Sequence, residues 1–185
     1  MVVGRIAPVK SAKDRVLNRP MSSVACRIRA GGRTQGASMS DILGRPTWDD
    51  WYMSLCFMVA QKSLDPVTRH GCIVVDEDHT PLTFGYNSPP RGCDDAAIPT
   101  SRPEKYTFME HAERNAIYNA SRTGTCLKGS TFYVTGHPCS DCFRGIVNAG
   151  ARRVVYSFVN SNCISEQDKE AIAIMNRGAI LIYPH

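Results

Sequence analysis

Residues 131–142 read TFYVTGHPCSDC, and this stretch decides the fold. Thr131 to Thr135 is a β-branched and aromatic run that predicts a buried strand, and Gly136 and Pro138 then break it. Cys139 opens a helix over Cys139 to Ala149, stopped by Gly150. Downstream, a strand (Arg153 to Ser157) precedes a helix capped by Ser165, with Asp168 completing a capping-box-like pair. Ala171, Ile174 and Met175 stripe that helix, Gly178 ends it, and Ala179 to Tyr183 is the last strand. Upstream, a helix runs from about His111 to Arg122, preceded by strands over Cys72 to Val75 and Leu82 to Tyr86. Asp76-Glu77-Asp78-His79 turns the chain between those two strands. Further upstream, Trp48, Trp51, Tyr52, Leu55 and Val59 follow helical spacing behind Thr47 as N-cap, with Asp49 and Asp50 in the first turn. Residues 88–107, with five prolines and glycines, form a long irregular loop of the kind that usually carries function. The order α-β-β-α-β-α-β-α-β predicts an α/β domain with a five-stranded sheet covered by helices.

The chemistry concentrates in two fragments, His111-Ala112-Glu113 and Pro138-Cys139-Ser140-Asp141-Cys142. Two thiolates and one imidazole suit Zn²⁺, and three protein ligands leave a fourth tetrahedral position open for water. Cys139 and Cys142 are neighbours on a helix surface. Both fragments start helices, where the dipole and free N–H groups favour thiolate over thiol. His111 and Glu113 would splay by roughly 200° around a regular helix. His111 therefore belongs at the half-helical edge and Glu113 inside the first turn. From there Glu113 acts as a proton shuttle rather than a fourth ligand, because a fourth ligand would close the site. A lone C-x-x-C also fits a structural zinc knuckle or a redox pair.

Composition bounds the alternatives. Apolar residues make up 43% and charged residues 21% of 185, an ordinary globular balance. The longest apolar run, Leu55 to Ala60, is far short of the ~20 residues of a membrane span. Eight cysteines without a signal-peptide core point to a reducing, cytoplasmic setting. The net charge of +5 divides unevenly: residues 1–38 hold eight Lys/Arg against Asp14, and the remainder carries 14 basic and 16 acidic residues. A slightly acidic body has no general attraction to nucleic acid. Residues 1–38 read as a basic, disordered leader to a catalytic domain over 39–185. An organelle-targeting peptide, a flexible basic arm and an extension ahead of a working start at Met39 all fit that composition.

The paired fragments match the H-x-E and P-C-x-x-C signature of the zinc nucleobase deaminases. The resemblance narrows with WDDWYMSLCFMVAQKSLD (48–65) followed by Pro66, which is similar to the opening helix of deoxycytidylate (dCMP) deaminases. Gly85-Tyr86-Asn87-Ser88 resembles their G-Y-N-G turn, and HAERNAI (111–117) their H-A-E-x-N-A-I. The resemblance covers about residues 47–183. It implies a cytidine-deaminase-like three-layer α-β-α fold with a central mixed five-stranded sheet, and Zn²⁺ as cofactor. It also implies hydrolysis of dCMP to dUMP and ammonia, supplying dUMP for thymidylate synthesis. Carried over by residue, His111, Cys139 and Cys142 are the zinc ligands and Glu113 the acid/base. Asn87 contacts substrate, and the Ala112 N–H faces the base carbonyl. Relatives further imply a homo-oligomer, a hexamer, and feedback by dCTP and dTTP. Ser88 stands where the feedback region has Gly, Arg114 where well-known members have Leu or Met, and residues 157–160 lack a tyrosine some relatives carry there.

Arg91, just after Asn87, is the expected 5′-phosphate contact, since Arg's fork suits phosphate. Arg69, Arg102, Lys105 and Arg114 read as solvated, His70 and His79 as strand-edge and turn residues, and His137 as a pocket-lining neighbour. Cys56, Cys72, Cys126 and Cys163 read as small buried hydrophobes. Cys93 has no convincing partners for a second metal site. Trp48, Trp51 and Tyr52 read as core or subunit-contact residues. Other cytosine substrates, tRNA adenosine and a non-catalytic zinc protein remain the alternatives, and Glu113 argues against the last.

Overall fold

The structure, a computed structural model, describes residues 44–157, 164–176 and 181–185. The leader, Cys163, Gly178 and the first two residues of the last expected strand lie outside the described residues. The elements are α1 (Trp48–Ala60), β1 (Gly71–Val75), β2 (Pro81–Tyr86), α2 (Ala112–Thr123), β3 (Thr131–Val134), α3 (Ser140–Asn148), β4 (Arg153–Tyr156), α4 (Glu166–Asn176) and β5 (Leu181–Pro184). Two short 3-10 turns, Asp95–Ala97 and Glu104–Thr107, punctuate the long loop.

The helix starts follow from local chemistry. Thr47 caps α1 in a reciprocal capping box: its hydroxyl accepts from the Asp50 N–H at 3.1 Å, and the Asp50 carboxylate accepts from the Thr47 N–H at 3.3 Å. Asp76 turns the β1–β2 hairpin by accepting from the Asp78 and Thr80 N–H groups at 3.0 and 2.7 Å. α2 ends on Gly124 in the left-handed region.

The sheet order is β2-β1-β3-β4-β5. β1 runs antiparallel to β2 and β3, whereas β3, β4 and β5 run parallel. Alternate residues of β1 feed two cores, as a strand's period of two requires. Cys72 and Val74 join Phe132, Val134 and Val154 beneath the α2, α3 and α4 side chains Ala116, Phe143, Ile146 and Ile172. Ile73 and Val75 join Tyr133 and Val155 beneath Tyr52, Met53 and Cys56 of α1. Helices thus cover both faces. Two glycines permit the close approach. A Cβ on Gly71 would sit 2.2 Å from the Cys56 carbonyl oxygen of α1, and one on Gly85 would sit 2.3 Å from the Ala112 oxygen of α2.

The antiparallel pairing of β1 with its neighbours positions the site. Gly71 pairs with Tyr86, and the Thr135 N–H donates to the Gly71 oxygen at 3.1 Å. The start of β1 and the ends of β2 and β3 therefore meet at the carboxyl end of the parallel strands, where α/β sheets hold their ligands. At the opposite end of β3 and β4, Arg153 grips Asp49 with two nitrogens (2.7 and 2.5 Å), and the Tyr133 hydroxyl donates to the same carboxylate at 2.8 Å. This anchors α1 to the sheet and holds the Asp49 carboxyl below its ordinary range, chiefly through the Arg153 hydrogen bonds.

Candidate active site

The two chemistry-bearing fragments converge at that carboxyl end. His111 is the N-cap of α2, with extended backbone (φ −75°, ψ 156°), and Glu113 sits in the first turn. Cys139 is likewise the N-cap of α3 (φ −72°, ψ 169°), and Cys142 lies one turn in. The half-helical placement expected of His111 is what the backbone adopts. His111 Nδ1 lies 3.4 Å from Cys142 Sγ and 3.6 Å from Cys139 Sγ, and all three donor atoms fall within 4.8 Å of one another. A tetrahedral ion with Zn–S near 2.3 Å and Zn–N near 2.0–2.1 Å would separate sulfur from nitrogen by about 3.6 Å. Donor set and spacing both fit zinc.

Electrostatics support the same corner. Hydrogen bonding from the Cys142 thiol pulls the Cys139 thiol down to about 4 against its burial, with His111 adding to the pull. The Cys142 thiol is pushed up by that shared bond and by burial. His111 is raised by its bond to Cys139. Glu113 is only 5% exposed, and its carboxyl is raised above its ordinary range by burial, against the pull of His111. Glu113 is not one of the clustered donors, so the corner holds three ligands and a separate carboxylate.

A cavity of about 300 Å³ opens onto His111, Glu113 and Cys139. Ala112, fully buried at the start of α2, also lines it, and its N–H, in the first helical turn, has no intrahelical acceptor. Asn87 lines it too, 8% exposed. Its Oδ1 accepts from the His70 N–H at 2.7 Å, and its Nδ2 donates to the Thr68 oxygen at 2.9 Å. One lone pair and one amide hydrogen remain for a ligand.

Arg91 stands elsewhere. It is absent from this cavity's lining, and its Nη2 donates to Asn119 Oδ1 of α2 at 2.6 Å. It lines a separate cavity of about 380 Å³ with Lys62, Ser88 and Asn115. The chain turns at Arg91 and Gly92, where the Cys93 N–H donates to the Pro90 oxygen at 3.3 Å, so adjacency to Asn87 in sequence does not become adjacency to the site. Ser88 holds the turn by exchanging backbone hydrogen bonds with Glu110 (3.1 and 2.9 Å), one residue before His111.

Sequence reasoning missed a second group on the cavity wall: Asp65, Thr68, Arg102, Lys105 and Tyr106. Lys105, expected in solvent, is 3% exposed and ion-paired with Asp65. Burial drives the Asp65 carboxyl up, but Lys105 and the Thr68 and Val67 N–H groups outweigh it and hold the carboxyl low. Arg102 donates to Thr68 Oγ1 at 3.0 Å and lies 5.8 Å from the Tyr106 ring centre. Arg114 also lines the cavity and pairs with Glu110. Among the described residues, Arg102 is the lining guanidinium that no carboxylate holds. His70, His137 and Ile164 also line the cavity. Burial lowers the His70 imidazole, with His111 adding to the effect. Cys56 and Cys72 are buried as expected, whereas Cys126 is exposed.

The family model for the cytidine and deoxycytidylate deaminase zinc-binding region matches residues 46–158. The chain belongs to that family. This deaminase-family chain is 35% identical over 142 residues to the deoxycytidylate deaminase of Homo sapiens, covering 74% of this chain and 71% of that protein. Among solved structures, it resembles the dCMP deaminase of cyanophage S-TIM5 in its apo form (TM-score 0.60, 25% identity, 74% of this chain and 96% of that one). The same phage enzyme in complex with dCMP and dUMP shares the fold (TM-score 0.57, 24% identity, 74% and 95%). The deaminase-family match spans both His111-Ala112-Glu113 and the Cys139–Cys142 helix start. Among the described residues, no helix is long and apolar enough to cross a membrane.

Proposed function

We propose that the chain is a zinc-dependent dCMP deaminase that hydrolyses dCMP to dUMP and ammonia. The observation that carries this reading is the His111–Cys139–Cys142 corner with the buried, non-ligating Glu113 beside it in one cavity. His111, Cys139 and Cys142 would hold Zn²⁺, which supplies a Lewis acid and lowers the pKa of water from 15.7 toward about 7.

The chain's own residues then move the protons. Glu113 takes one proton from the attacking water and delivers it to N3 of cytosine as the water oxygen bonds to C4. It next takes the proton left on that oxygen and hands it to the C4 amino group. The C4–N bond breaks, ammonia leaves, and uracil keeps its N3 proton. The raised pKa of Glu113 suits a group that must both accept and give up protons near neutrality. The Ala112 N–H donates to the base carbonyl, and Asn87 contacts substrate through its remaining amide valences.

Arg102, rather than Arg91, reads the 5′-phosphate, because its guanidinium lines the cavity with donors to spare. A charge-assisted bond to phosphate contributes about 1.5–3 kcal/mol, or about 10- to 150-fold in kcat/KM if it persists in the transition state. Ammonia release should be fastest with dCMP among dCMP, CMP, deoxycytidine and cytosine. Arg102→Ala should slow dCMP by that factor and leave deoxycytidine nearly unchanged. Equal losses on both would assign Arg102 to holding Thr68. Parent protein that prefers deoxycytidine would overturn the substrate.

Catalysis is assigned to residues 39–185, supported by a family match that starts at residue 46. Protein lacking residues 1–38 should therefore keep its deamination rate, and loss of cooperative folding in that truncation would show otherwise. A homo-oligomer, a hexamer, is supported by the exposed apolar side chains Trp48, Trp51 and Met58 on α1. Feedback by dCTP or dTTP is supported by the polar cavity beside Ser88, with Lys62 and Arg91 on its wall.

A further inference from the structure

The N-cap of a helix normally supplies a side-chain oxygen to the free N–H groups of the first turn. In α3 that position is Cys139, whose sulfur faces His111 and makes no cap hydrogen bond. The start of α3 is served instead from another helix. Asp168 of α4 accepts the Ser140 N–H on Oδ1 at 2.9 Å, across 28 residues of sequence. Its Oδ2 accepts the Ser165 hydroxyl at 2.8 Å and, more weakly, the Ser165 N–H at 3.4 Å, while the Asp168 N–H returns to Ser165 Oγ at 3.0 Å. One carboxylate therefore joins the starts of two helices. Ser140 directly follows Cys139. Ser165 directly follows Ile164, which lines the cavity.

We infer that Asp168 is the positioning residue of the metal corner. It takes over the capping duty that Cys139 gives up and thereby sets where Cys139 and Cys142 stand relative to His111. The inference rests on the zinc reading above. A carboxylate suits the place because a helix start favours negative charge. The hydrogen bonds from Ser140, followed by those from Ser165, hold the Asp168 carboxyl well below the usual carboxylate range, so it is ionised across the working pH range. The bond also couples the metal helix to the cavity wall, since a shift of Asp168 displaces the Ile164–Ser165 segment together with Ser140.

The test uses full-length protein reconstituted with zinc, and with cobalt as a visible probe of ligand geometry. Removing a residue that orients ligands typically costs 10–100-fold in metal affinity. Asp168→Ala should show that loss in chelator competition and a changed cobalt–thiolate spectrum. Asp168→Asn, which keeps an acceptor for the Ser140 N–H, should restore both. Ser165→Ala removes the cap of α4 and the hydroxyl bond to Asp168 Oδ2 but leaves Oδ1 on the Ser140 N–H, so it should lower the melting temperature while keeping the parent's affinity and spectrum. The inference is overturned if Asp168→Ala binds zinc as the parent does, or if Ser165→Ala reproduces its metal loss. Should Asp168→Ala fail to fold, Asp168→Asn and Asp168→Glu decide: a parent-like spectrum for Asn with a shifted one for Glu supports positioning, and identical spectra for the two refute it. Parent protein lacking any cobalt–thiolate absorption would overturn the zinc reading itself, whereas a normal parent spectrum with an unchanged Asp168→Ala overturns only the role of Asp168.

Discussion

Glu113→Gln protein will fold, keep its zinc and lose turnover. Gln matches Glu in size, and burial already disfavours the carboxylate's charge, so a neutral amide fits the first turn of α2 without a new packing demand. Metal content should stay at one equivalent per chain, because the three clustered donors are His111, Cys139 and Cys142. The chemistry fails for a different reason: an amide cannot take the water proton or pass it on. Losing a general acid–base costs about 10²–10⁴-fold, and here a single residue moves both protons, so the loss should reach or exceed the upper end. Ammonia release from dCMP together with metal analysis checks both halves. Turnover within about threefold of the parent would remove Glu113 from the mechanism, since general acid–base catalysis typically contributes about 10²-fold or more. Loss of zinc together with activity would instead make Glu113 a ligand.

Much of the site was legible because its residues carry local signals. Thr47, His111, Cys139 and Ser165 each precede a helix, and a residue before a helix has a restricted set of backbone and hydrogen-bonding roles. The splay of His111 and Glu113 around a regular helix was enough to place one at the cap and the other inside. The alternation in β1 likewise sorts Cys72 and Val74 from Ile73 and Val75 onto two cores. What stayed hidden depends on chain reversals that no local pattern encodes. Arg91 and Arg102 sit in one loop, and adjacency to Asn87 favoured the first as the phosphate contact, but Arg91 folds back onto Asn119 of α2 and Arg102 onto Thr68 beside β1. Lys105 seemed a solvent residue because its partner, Asp65, is 40 positions away. Asp168 announced one cap in sequence, whereas its bond to Ser140 exists only once α3 and α4 have packed. Cys126 follows the end of α2 on the surface, where a small apolar residue carries no penalty large enough to exclude it.

Cys139→Ala should abolish both metal binding and deamination while leaving the apo fold intact. Two donors, His111 and Cys142, would remain of the three, and two protein ligands hold zinc far less well than the three a catalytic site uses. The lost donor is also the one best prepared for the task, since its thiol is drawn down to about 4 and stands as thiolate at neutral pH. Stability arguments run the other way. Cys139 makes no cap hydrogen bond to α3, and the Ser140 N–H is served by Asp168, so Ala removes no hydrogen bond from the helix start. A metal deficit in this variant is therefore separable from unfolding by the circular dichroism and melting curve of metal-free parent and variant side by side. Cys126→Ala is the control, an exposed thiol outside the donor cluster, and should keep full zinc content and rate. Acidification should also release the metal from the parent, because protons compete for the same thiolates and imidazole. Full zinc content in Cys139→Ala would show that the ion is held by another set of residues, and the tetrahedral corner would lose its role even with the fold and family unchanged.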